Sequence, residues 1–259
     1  MGKLDGRVAV ITSGSTGIGR GIGEAFLAEG AQVVINGRDP EKGARALKEM
    51  NAGEHGHFIK GDVTVREDID AVVGGTVEHF GRLDILVNNA GGLIKTAPVA
   101  NLADEDWDYA VKWNLYSAFW ASRKALEYMI PQQSGRIINI SSVEGKHGKP
   151  AIPAYVTCKH ALIGLTKAIA KENGTAGITC NAICPGLVWT DVLVATGPDS
   201  AREMGLTFEQ MVDVFAQETA LKRISTVEEV AAVAVLLASD VAAGITGSAY
   251  NVDGGTAAY

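Results

Sequence analysis

Two side chains that can exchange a proton with a substrate, Tyr155 and Lys159, stand four residues apart. The surrounding pattern predicts a helix over Tyr155–Asn173, and residues four apart on a helix share one face. A tyrosine that acts as acid or base near neutral pH needs a pKa below its usual value of about 10, and an adjacent ammonium favours the phenolate. By itself the spacing is weak evidence and favours a surface pair on an amphipathic helix, so the proton-transfer interpretation depends on the residues around the pair.

A hydroxyl that could serve the same reaction, that of Ser142, directly follows the predicted strand Arg136–Ser141. A residue there lies at the carboxyl end of its strand, which is where parallel α/β sheets bind ligands. A hydrogen-bond donor at such a position can stabilise an alkoxide as its charge develops. Ser141 is the neighbouring candidate.

A glycine-rich segment, Thr12–Gly19, lies between a predicted strand and a predicted helix. Glycines there would let the backbone approach a pyrophosphate, and the first turn of the helix offers N–H groups and a positive dipole end. The segment therefore predicts a dinucleotide site. A glycine-rich turn without a ligand remains the alternative.

Short β-rich runs alternate with longer amphipathic stretches along the whole chain. The predicted strands are Val8–Thr12, Gln32–Asn36, His57–Lys60, Ile85–Asn88, Arg136–Ser141, Thr179–Cys184 and Ala249–Val252. The predicted helices are Ile18–Ala28, Glu41–Met50, Asp68–Phe80, Trp107–Met129, Tyr155–Asn173 and Val227–Ala238. This alternation predicts the α/β class, namely a single Rossmann-like domain over residues 1–259 with a doubly wound parallel sheet flanked by helices on both faces.

The least regular stretch of the chain runs from Gly186 to Ser225 and contains the pair Gly197-Pro198. A long insertion after a sheet strand is either a lid over a ligand or a mobile connection. We expect a substrate lid at about residues 187–225.

Several motifs, in order and at matching spacing, resemble those of the short-chain dehydrogenase/reductase family. The cofactor loop of that family reads T-G-x-x-x-G-x-G; Thr12, Gly17 and Gly19 match it, and Ser13 replaces its first glycine. The further matches are Asn88-Asn89-Ala90-Gly91, Asn114, Ser142, Tyr155, Lys159, Pro185-Gly186 with Thr190, and Asp253-Gly254-Gly255. The resemblance thus covers nearly the whole chain, and the conjunction of motifs is more specific than any one of them.

The resemblance implies hydride transfer between nicotinamide and a carbonyl or alcohol carbon. In that scheme Tyr155 transfers the proton, Lys159 lowers its pKa and holds the nicotinamide ribose, and Ser142, rather than Ser141, positions the oxygen. Asn114 would hold a water of a proton relay. Implied cofactor contacts are Thr12, Ser13, Ser15, Thr16, Gly17, Ile18, Gly19, Arg38, Asp62, Val63, Asn89, Ala90, Gly91, Tyr155, Lys159, Pro185, Gly186, Val188 and Thr190.

The residues after the second strand bear on the choice of cofactor. No acid stands at Gly37 to accept hydrogen bonds from a ribose 2′-hydroxyl, and Arg38 could pair with a 2′-phosphate. Asp39 next to it weakens this argument, and a solvated surface arginine is the alternative. We expect NADP in preference to NAD.

The region around the candidate tyrosine resembles bacterial 3-oxoacyl-thioester reductases, polyketide ketoreductases and 3-hydroxybutyrate dehydrogenases. Ile152 and Leu187 differ from the lysine and tryptophan of the last group, so we expect a less polar ketone or a 3-oxoacyl thioester rather than a small hydroxy acid. His147 and Lys149 could meet an anionic substrate, although a solvated loop is the favoured interpretation.

Three alternative functions stay open at this point: an NAD-dependent dehydrogenase of a 3-hydroxy acid or another secondary alcohol, a non-catalytic dinucleotide-binding regulator, and a sugar-nucleotide epimerase. The four candidate catalytic residues speak against the regulator. The epimerase would need an additional C-terminal substrate region, for which the chain leaves little length.

Composition narrows the class of partner. A net charge of −7 and a pI near 5.3 argue against nucleic-acid binding, and the first apolar run is too short for a signal or a membrane span. Three cysteines without metal-ligand spacing indicate reduced thiols and no metal site. We expect a cytoplasmic enzyme, and the resemblance implies a homotetramer.

Overall fold

The computed structural model describes residues 2–257, so residues 1, 258 and 259 of the predicted domain lie outside it. A seven-stranded parallel sheet has the strand order β3-β2-β1-β4-β5-β6-β9. The strands are β1 (Val8–Ile11), β2 (Gln32–Gly37), β3 (Gly56–Lys60), β4 (Ile85–Asn88), β5 (Gly135–Ile140), β6 (Ile178–Pro185), β7 (Val188–Trp189), β8 (Ser225–Thr226) and β9 (Ala249–Val252). The helices are α1 (Gly17–Ala28), α2 (Pro40–Glu49), α3 (Arg66–Phe80), α4 (Asp104–Val111), α5 (Ser117–Gln132), α6 (Pro153–Asn173), α7 (Asp191–Glu203), α8 (Phe208–Glu218) and α9 (Val227–Ala238).

Each face of the sheet has its own hydrophobic core. Along β1, Ile11 packs with Phe26 of α1 and residues of α9 on one face. Val10 packs with residues of α3, α5 and α6 on the other face. All four residues of β1 are buried, as expected for a strand covered on both faces. The predicted Rossmann-like α/β fold is therefore confirmed.

A buried polar network fixes two helices against the middle of the sheet. Asn88 at the end of β4 donates from Nδ2 to Ser122 Oγ at 2.9 Å and to Asn139 Oδ1 of β5 at 2.8 Å. Asn139 in turn donates to Thr166 Oγ1 of α6 at 2.8 Å. Because buried hydrogen bonds are directional, this network sets the height of α5 and α6 relative to the strand ends.

The stretch predicted to be irregular, Gly186–Ser225, is more ordered than its sequence indicates. It contains α7, α8 and the short parallel pair of β7 with β8. Pro198 lies inside α7, where a proline removes one helical hydrogen bond, and Gly197 is in place because a Cβ there would collide with Phe208 of α8. The Gly197-Pro198 pair thus lies within a packed helix, and this part of the stretch is helical rather than irregular.

The predicted helix Trp107–Met129 is also longer and less uniform than expected. It runs from Asp104 to Gln132 as α4, a π-helical segment over Lys112–Tyr116, and α5. A π segment shifts the register of the backbone hydrogen bonds by one residue. This shift changes which side chains of the long helix face the sheet.

One buried carboxylate stabilises the end of the sheet at which the strands begin. Asp84, fully buried, accepts from the amide of Val8 at 2.9 Å and from Nε and Nη2 of Arg82 at 2.8 Å and 2.7 Å. Arg7 Nη1 lies 3.6 Å from the same carboxylate. These contacts join the starts of β1 and β4.

Replacing Asp84 with alanine should lower the free energy of unfolding by about 2 to 3 kcal/mol, because the buried Val8 amide loses its acceptor and a charged hydrogen bond is lost. Urea denaturation followed by circular dichroism measures the change. Asp199→Ala is the matched control, since Asp199 is exposed and pairs with Arg202 across one helical turn, and its effect should stay within about 0.5 kcal/mol. Equal stabilities of the two variants would contradict this role of Asp84.

Candidate active site

A cleft of about 1120 Å³ lies at the carboxyl ends of the central strands. Sixteen of the candidate residues line it: Ser13, Ser15, Thr16, Gly17, Ile18, Arg38, Asp62, Val63, Asn89, Gly91, Ser142, Tyr155, Lys159, Pro185, Gly186 and Thr190. Segments far apart in the sequence therefore meet around one volume, as the topology of a parallel sheet requires.

The remaining candidates lie behind the wall of the cleft: Thr12, Gly19, Ala90, Asn114 and Val188. Thr12 Oγ1 accepts from the amides of Asn89 and Ala90 at 3.0 Å and 3.1 Å. Gly19 packs against the Asn89 amide so closely that a Cβ would collide with it. These residues support the loops that line the cleft.

The glycine-rich loop is connected to two neighbouring strands. Asn89, after β4, donates from Nδ2 to the carbonyls of Thr12 and Ser13, both at 3.0 Å. Asn36 of β2 accepts from the Ser13 amide at 3.3 Å. Ser13, which replaces a family glycine, adopts a left-handed φ of 51°, a conformation that costs energy for a residue with a Cβ. The surrounding hydrogen bonds hold this strained turn in place.

A carboxylate that the sequence analysis missed is bound to this loop. Asp191, the first residue of α7, accepts from the Gly17 amide at 2.8 Å through Oδ1. Its Oδ2 lies 3.6 Å from Nη1 of Arg20. The sequence shows that an acid begins α7. It does not show the acid's partner, because Gly17 lies 174 positions earlier in the chain. Asp191 joins the predicted lid to the first turn of α1.

Helix α7 also contributes to the wall of the cleft. Its residues Val192, Thr196, Ser200 and Glu203 line the cleft on one helical face. In the loop that follows strand β4, residues Leu93 to Thr96 line the same volume together with Tyr109 and Trp113. Neither group was predicted from the sequence. The α7 residues lie around Gly197-Pro198, which is not typical of a helix, and the loop residues belong to no motif.

The ammonium of Lys159 is buried at the end of strand β5. It donates to the carbonyl oxygen of Ile140 at 2.8 Å and lies 5.5 Å from the centre of the Tyr155 ring. Burial lowers the pKa of Lys159 to about 8, because desolvation disfavours the charged form. Gly91 passes so close that a Cβ there would lie 3.3 Å from Nζ.

The phenol of Tyr155 faces Ser142. Burial raises the pKa of Tyr155, the hydrogen bond with Ser142 opposes that rise, and the charges of Glu144 and Cys184 add to it. This result differs from the expectation that Lys159 lowers the pKa of Tyr155. The physical reason is that desolvation is the largest influence on the phenol, while the Lys159 ammonium is turned towards Ile140.

Asn114 lies in the π-helical segment and is fully buried. Its Oδ1 accepts from the Gly92 amide at 2.8 Å, and its Nδ2 donates to the carbonyls of Gly92 and Ala110 at 3.1 Å and 3.0 Å. A Cβ on Gly91 would approach both Asn114 and Lys159. The side chain therefore braces the loop beside the lysine, and its role in a water relay stays a prediction.

The far end of the cleft carries mixed charges. Arg38 is 72% exposed at its side chain, with Nη1 3.9 Å from Asp62 Oδ2. Asp62 also accepts from the amide and the hydroxyl of Thr64 at 2.9 Å and 2.8 Å. Asp39 caps helix α2 and accepts from the amides of Glu41 and Lys42. Asp39 uses Oδ1 for this cap and also lines the cleft beside Arg38.

The part of the chain over residues 2–257 holds no group of three or more His, Cys, Asp or Glu side chains arranged for a metal ion. It also has no helix whose length and hydropathy would suit a membrane crossing. Cys158, Cys180 and Cys184 are buried free thiols.

Known proteins match this chain over its whole length. The family model described as enoyl-(acyl carrier protein) reductase matches residues 13–257. A 3beta-hydroxysteroid dehydrogenase of Mediterraneibacter gnavus is 38% identical over 100% of this chain and 98% of its own. A D-beta-hydroxybutyrate dehydrogenase of Rhizobium meliloti is 38% identical over 96% of this chain and 98% of its own.

The crystal structure of a variant of actinorhodin polyketide ketoreductase with NADPH superposes with a TM-score of 0.93, at 34% identity and with 100% of both chains covered. The chain belongs to the short-chain dehydrogenase/reductase family, as its motifs predicted. It is an oxidoreductase that acts on CH–OH and C=O groups with a nicotinamide cofactor.

Replacing Asp191 with alanine should release the start of α7 from the glycine-rich loop, because the Gly17 amide and Arg20 lose their shared acceptor. We expect faster limited proteolysis within residues 187–225, detected by mass spectrometry of the fragments. Asp199→Ala is the control on the same helix and should leave the cleavage rate unchanged. An unchanged rate for Asp191→Ala would show that the contact does not hold this segment.

Proposed function

We propose that the chain reduces a less polar ketone or a 3-oxoacyl thioester with NADPH and catalyses the reverse oxidation of the alcohol. The observation that carries this proposal is the convergence of Ser142, Tyr155 and Lys159 on a cleft that also includes the glycine-rich loop. The proposed catalytic set lies at the nicotinamide end, and Arg38 lies at the adenosine end. Segment 187–225 is proposed to cover the substrate.

The residues present fit a dinucleotide. A Cβ on Gly19 would collide with Asn89, and a Cβ on Gly91 would collide with Asn114, so only glycine lets these loops pack closely around the cleft. Gly17 and Ile18, in the first turn of α1, line the same volume, and the positive end of a helix suits a pyrophosphate. Thr190 lines the cleft beside Pro185 and Gly186, and these three residues are proposed to hold the carboxamide side of the cofactor.

The chemistry of the proposed step divides between cofactor and protein. A bound nicotinamide supplies or accepts the hydride. Because burial holds the pKa of Tyr155 above its ordinary value, the phenol is protonated near pH 7 and suited to donate to a carbonyl oxygen. Ser142 can hydrogen-bond the same oxygen, and the ammonium of Lys159, with a pKa of about 8, stabilises the phenolate that remains after transfer.

Four observations bear on the choice of NADP over NAD. Arg38 and Lys42 line the cleft, and Gly37 supplies no acid for a ribose hydroxyl. Asp39 lines the same cleft, but its Oδ1 caps α2, and these amide contacts offset part of the charge that it opposes to a 2′-phosphate. The ketoreductase that superposes on this chain was crystallised with NADPH.

The substrate end of the cleft favours an apolar ketone. Leu93, Ile94, Trp113 and Val192 supply apolar surface there, and the relatives include an enzyme named for a hydroxysteroid. A 3-hydroxy acid is the second candidate, because Lys95 lines the same cleft and a relative is named for hydroxybutyrate.

A panel of steroid ketones, 3-oxoacyl thioesters and 3-oxo acids separates these substrate classes. The loss of NADPH absorbance measures turnover of each compound.

We further propose a homotetramer in the cytoplasm. Strand β9 is the last strand of the sheet, and an edge strand can pair with a second copy. Tyr116, Phe119 and Ile130 are exposed apolar side chains on or beside α5, which suits a subunit contact. The buried free thiols agree with a reducing compartment.

Replacing Tyr155 with phenylalanine should abolish turnover while NADPH still binds, because the variant loses the proton donor and keeps the ring. Steady-state absorbance assays measure turnover, and fluorescence titration measures cofactor binding. Tyr128→Phe, on α5, is the control and should retain activity. Substantial residual activity of Tyr155→Phe would refute the assignment.

Replacing Arg38 with alanine should weaken NADPH binding roughly ten- to a hundredfold, the loss expected for one charged hydrogen bond, and should change NADH binding little. Fluorescence titration with both cofactors gives the two dissociation constants. Arg45→Ala, an exposed arginine of α2, serves as the control. Equal losses for the two cofactors would overturn the preference for NADP.

A further inference from the structure

A buried glutamate, Glu144, contacts Ser142 through its backbone amide. Glu144 is 8% exposed, and its amide donates to Ser142 Oγ at 3.1 Å. Within the part of the chain that the structure describes, its Oε2 has no hydrogen bond of ordinary geometry, although Nε2 of His147 lies 3.2 Å away. Lys149 Nζ lies 3.5 Å from Oε1. The loop side chains that the sequence analysis favoured as solvated are therefore directed at one buried carboxylate.

Glu144, His147 and Lys149, here called the Glu144 cluster, lie outside the cleft. The described residues that line the cleft include Ser142 and Tyr155 but none of these three. An incompletely paired buried carboxylate costs stability, and such groups are found where their charge acts on a reacting group.

The charge of Glu144 acts on Tyr155. It raises the pKa of the phenol, in addition to the larger effect of burial. The other titratable groups near the phenol are Cys184 of β6 and Lys159 of α6. Lys146, in the same loop as the cluster, is directed elsewhere and donates to the Ala249 carbonyl at 2.9 Å.

The cluster also contacts the segment proposed to cover the substrate. Lys149 Nζ lies 4.4 Å from the centre of the Phe215 ring on α8, which is the geometry of a cation–π contact. The ring and Glu144 thus hold the same ammonium from two sides. Displacement of α8 would free Lys149 and leave the carboxylate less neutralised.

We propose that the Glu144 cluster is a positioning device that sets the charge facing Tyr155 and connects this charge to helix α8 through Phe215. The inference rests on the proposed function only in assigning proton transfer to Tyr155. Glu144 makes the environment of the phenol more negative, and Lys149, held by Phe215, offsets that charge. Movement of α8 therefore changes the proton affinity of the tyrosine.

The test is the pH midpoint of Tyr155 ionisation, measured in two ways. Ultraviolet difference titration, with Tyr155→Phe subtracted, follows the phenolate without any substrate. The pH profile of kcat/KM for ketone reduction falls as the phenol ionises. If no ketone is reduced or Tyr155→Phe remains active, the proposed function fails, while the titration still tests the cluster.

Glu144→Gln should move the midpoint to lower pH, because a negative charge beside the forming phenolate is removed. Lys149→Met should move it to higher pH, and Lys149→Arg should restore it. Phe215→Leu should also move the midpoint to higher pH, by less than Lys149→Met does. Lys146→Met is the control with the same charge change in the same loop, and its midpoint should match that of the unaltered protein.

The proposal is overturned if the midpoint of Glu144→Gln equals that of the control Lys146→Met, or if Glu144→Gln moves the midpoint to higher pH. It is also overturned if Lys149→Arg fails to restore the midpoint that Lys149→Met displaces. Should Glu144→Gln fail to fold, judged by loss of NADPH binding, the Lys149 pair and Phe215→Leu decide the question. A lack of any shift among these three would then refute it.

Discussion

The ammonium of Lys159 is buried, and its hydrogen bond to the Ile140 carbonyl joins helix α6 to the end of strand β5. A buried ammonium needs a hydrogen-bond acceptor. The Ile140 carbonyl serves here because Ile140 is the last residue of β5, and α6, which begins at Pro153, places Lys159 beside it. The bond sets the rotation of α6, so that Tyr155, one turn earlier, faces Ser142. The same burial brings the pKa of Lys159 to about 8, within reach of neutral pH.

The rest of the cleft is arranged around this fixed point. Asn114 braces the loop that passes Lys159 at Gly91, and the π segment places it there. Asn89 connects the same region to the glycine-rich loop, and Asp191 extends the connection to α7. A chain of short contacts thus links the proposed proton donor, the dinucleotide loop and the segment proposed as a lid.

The sequence was sufficient for features that depend on local patterns and order. Alternating strands and helices predicted the sheet, and the position of Ser142 after a strand and of Tyr155 and Lys159 on one helix predicted their meeting. It was insufficient where the outcome depends on long-range packing. The bond between Asp191 and Gly17, the π register at Asn114 and the pairing of Lys149 with Glu144 leave no periodic signal. The helix around Gly197-Pro198 was missed because tertiary packing against Phe208 outweighed local propensity.

The central claim is that the cleft couples direct hydride transfer at nicotinamide to proton donation by Tyr155. The most direct measurement uses NADPH deuterated at both hydrogens of nicotinamide C4, a ketone that the protein reduces, and mass spectrometry of the alcohol. We expect one deuterium on the carbinol carbon and a hydroxyl proton that exchanges with solvent. An alcohol formed without deuterium on that carbon would refute direct hydride transfer from nicotinamide.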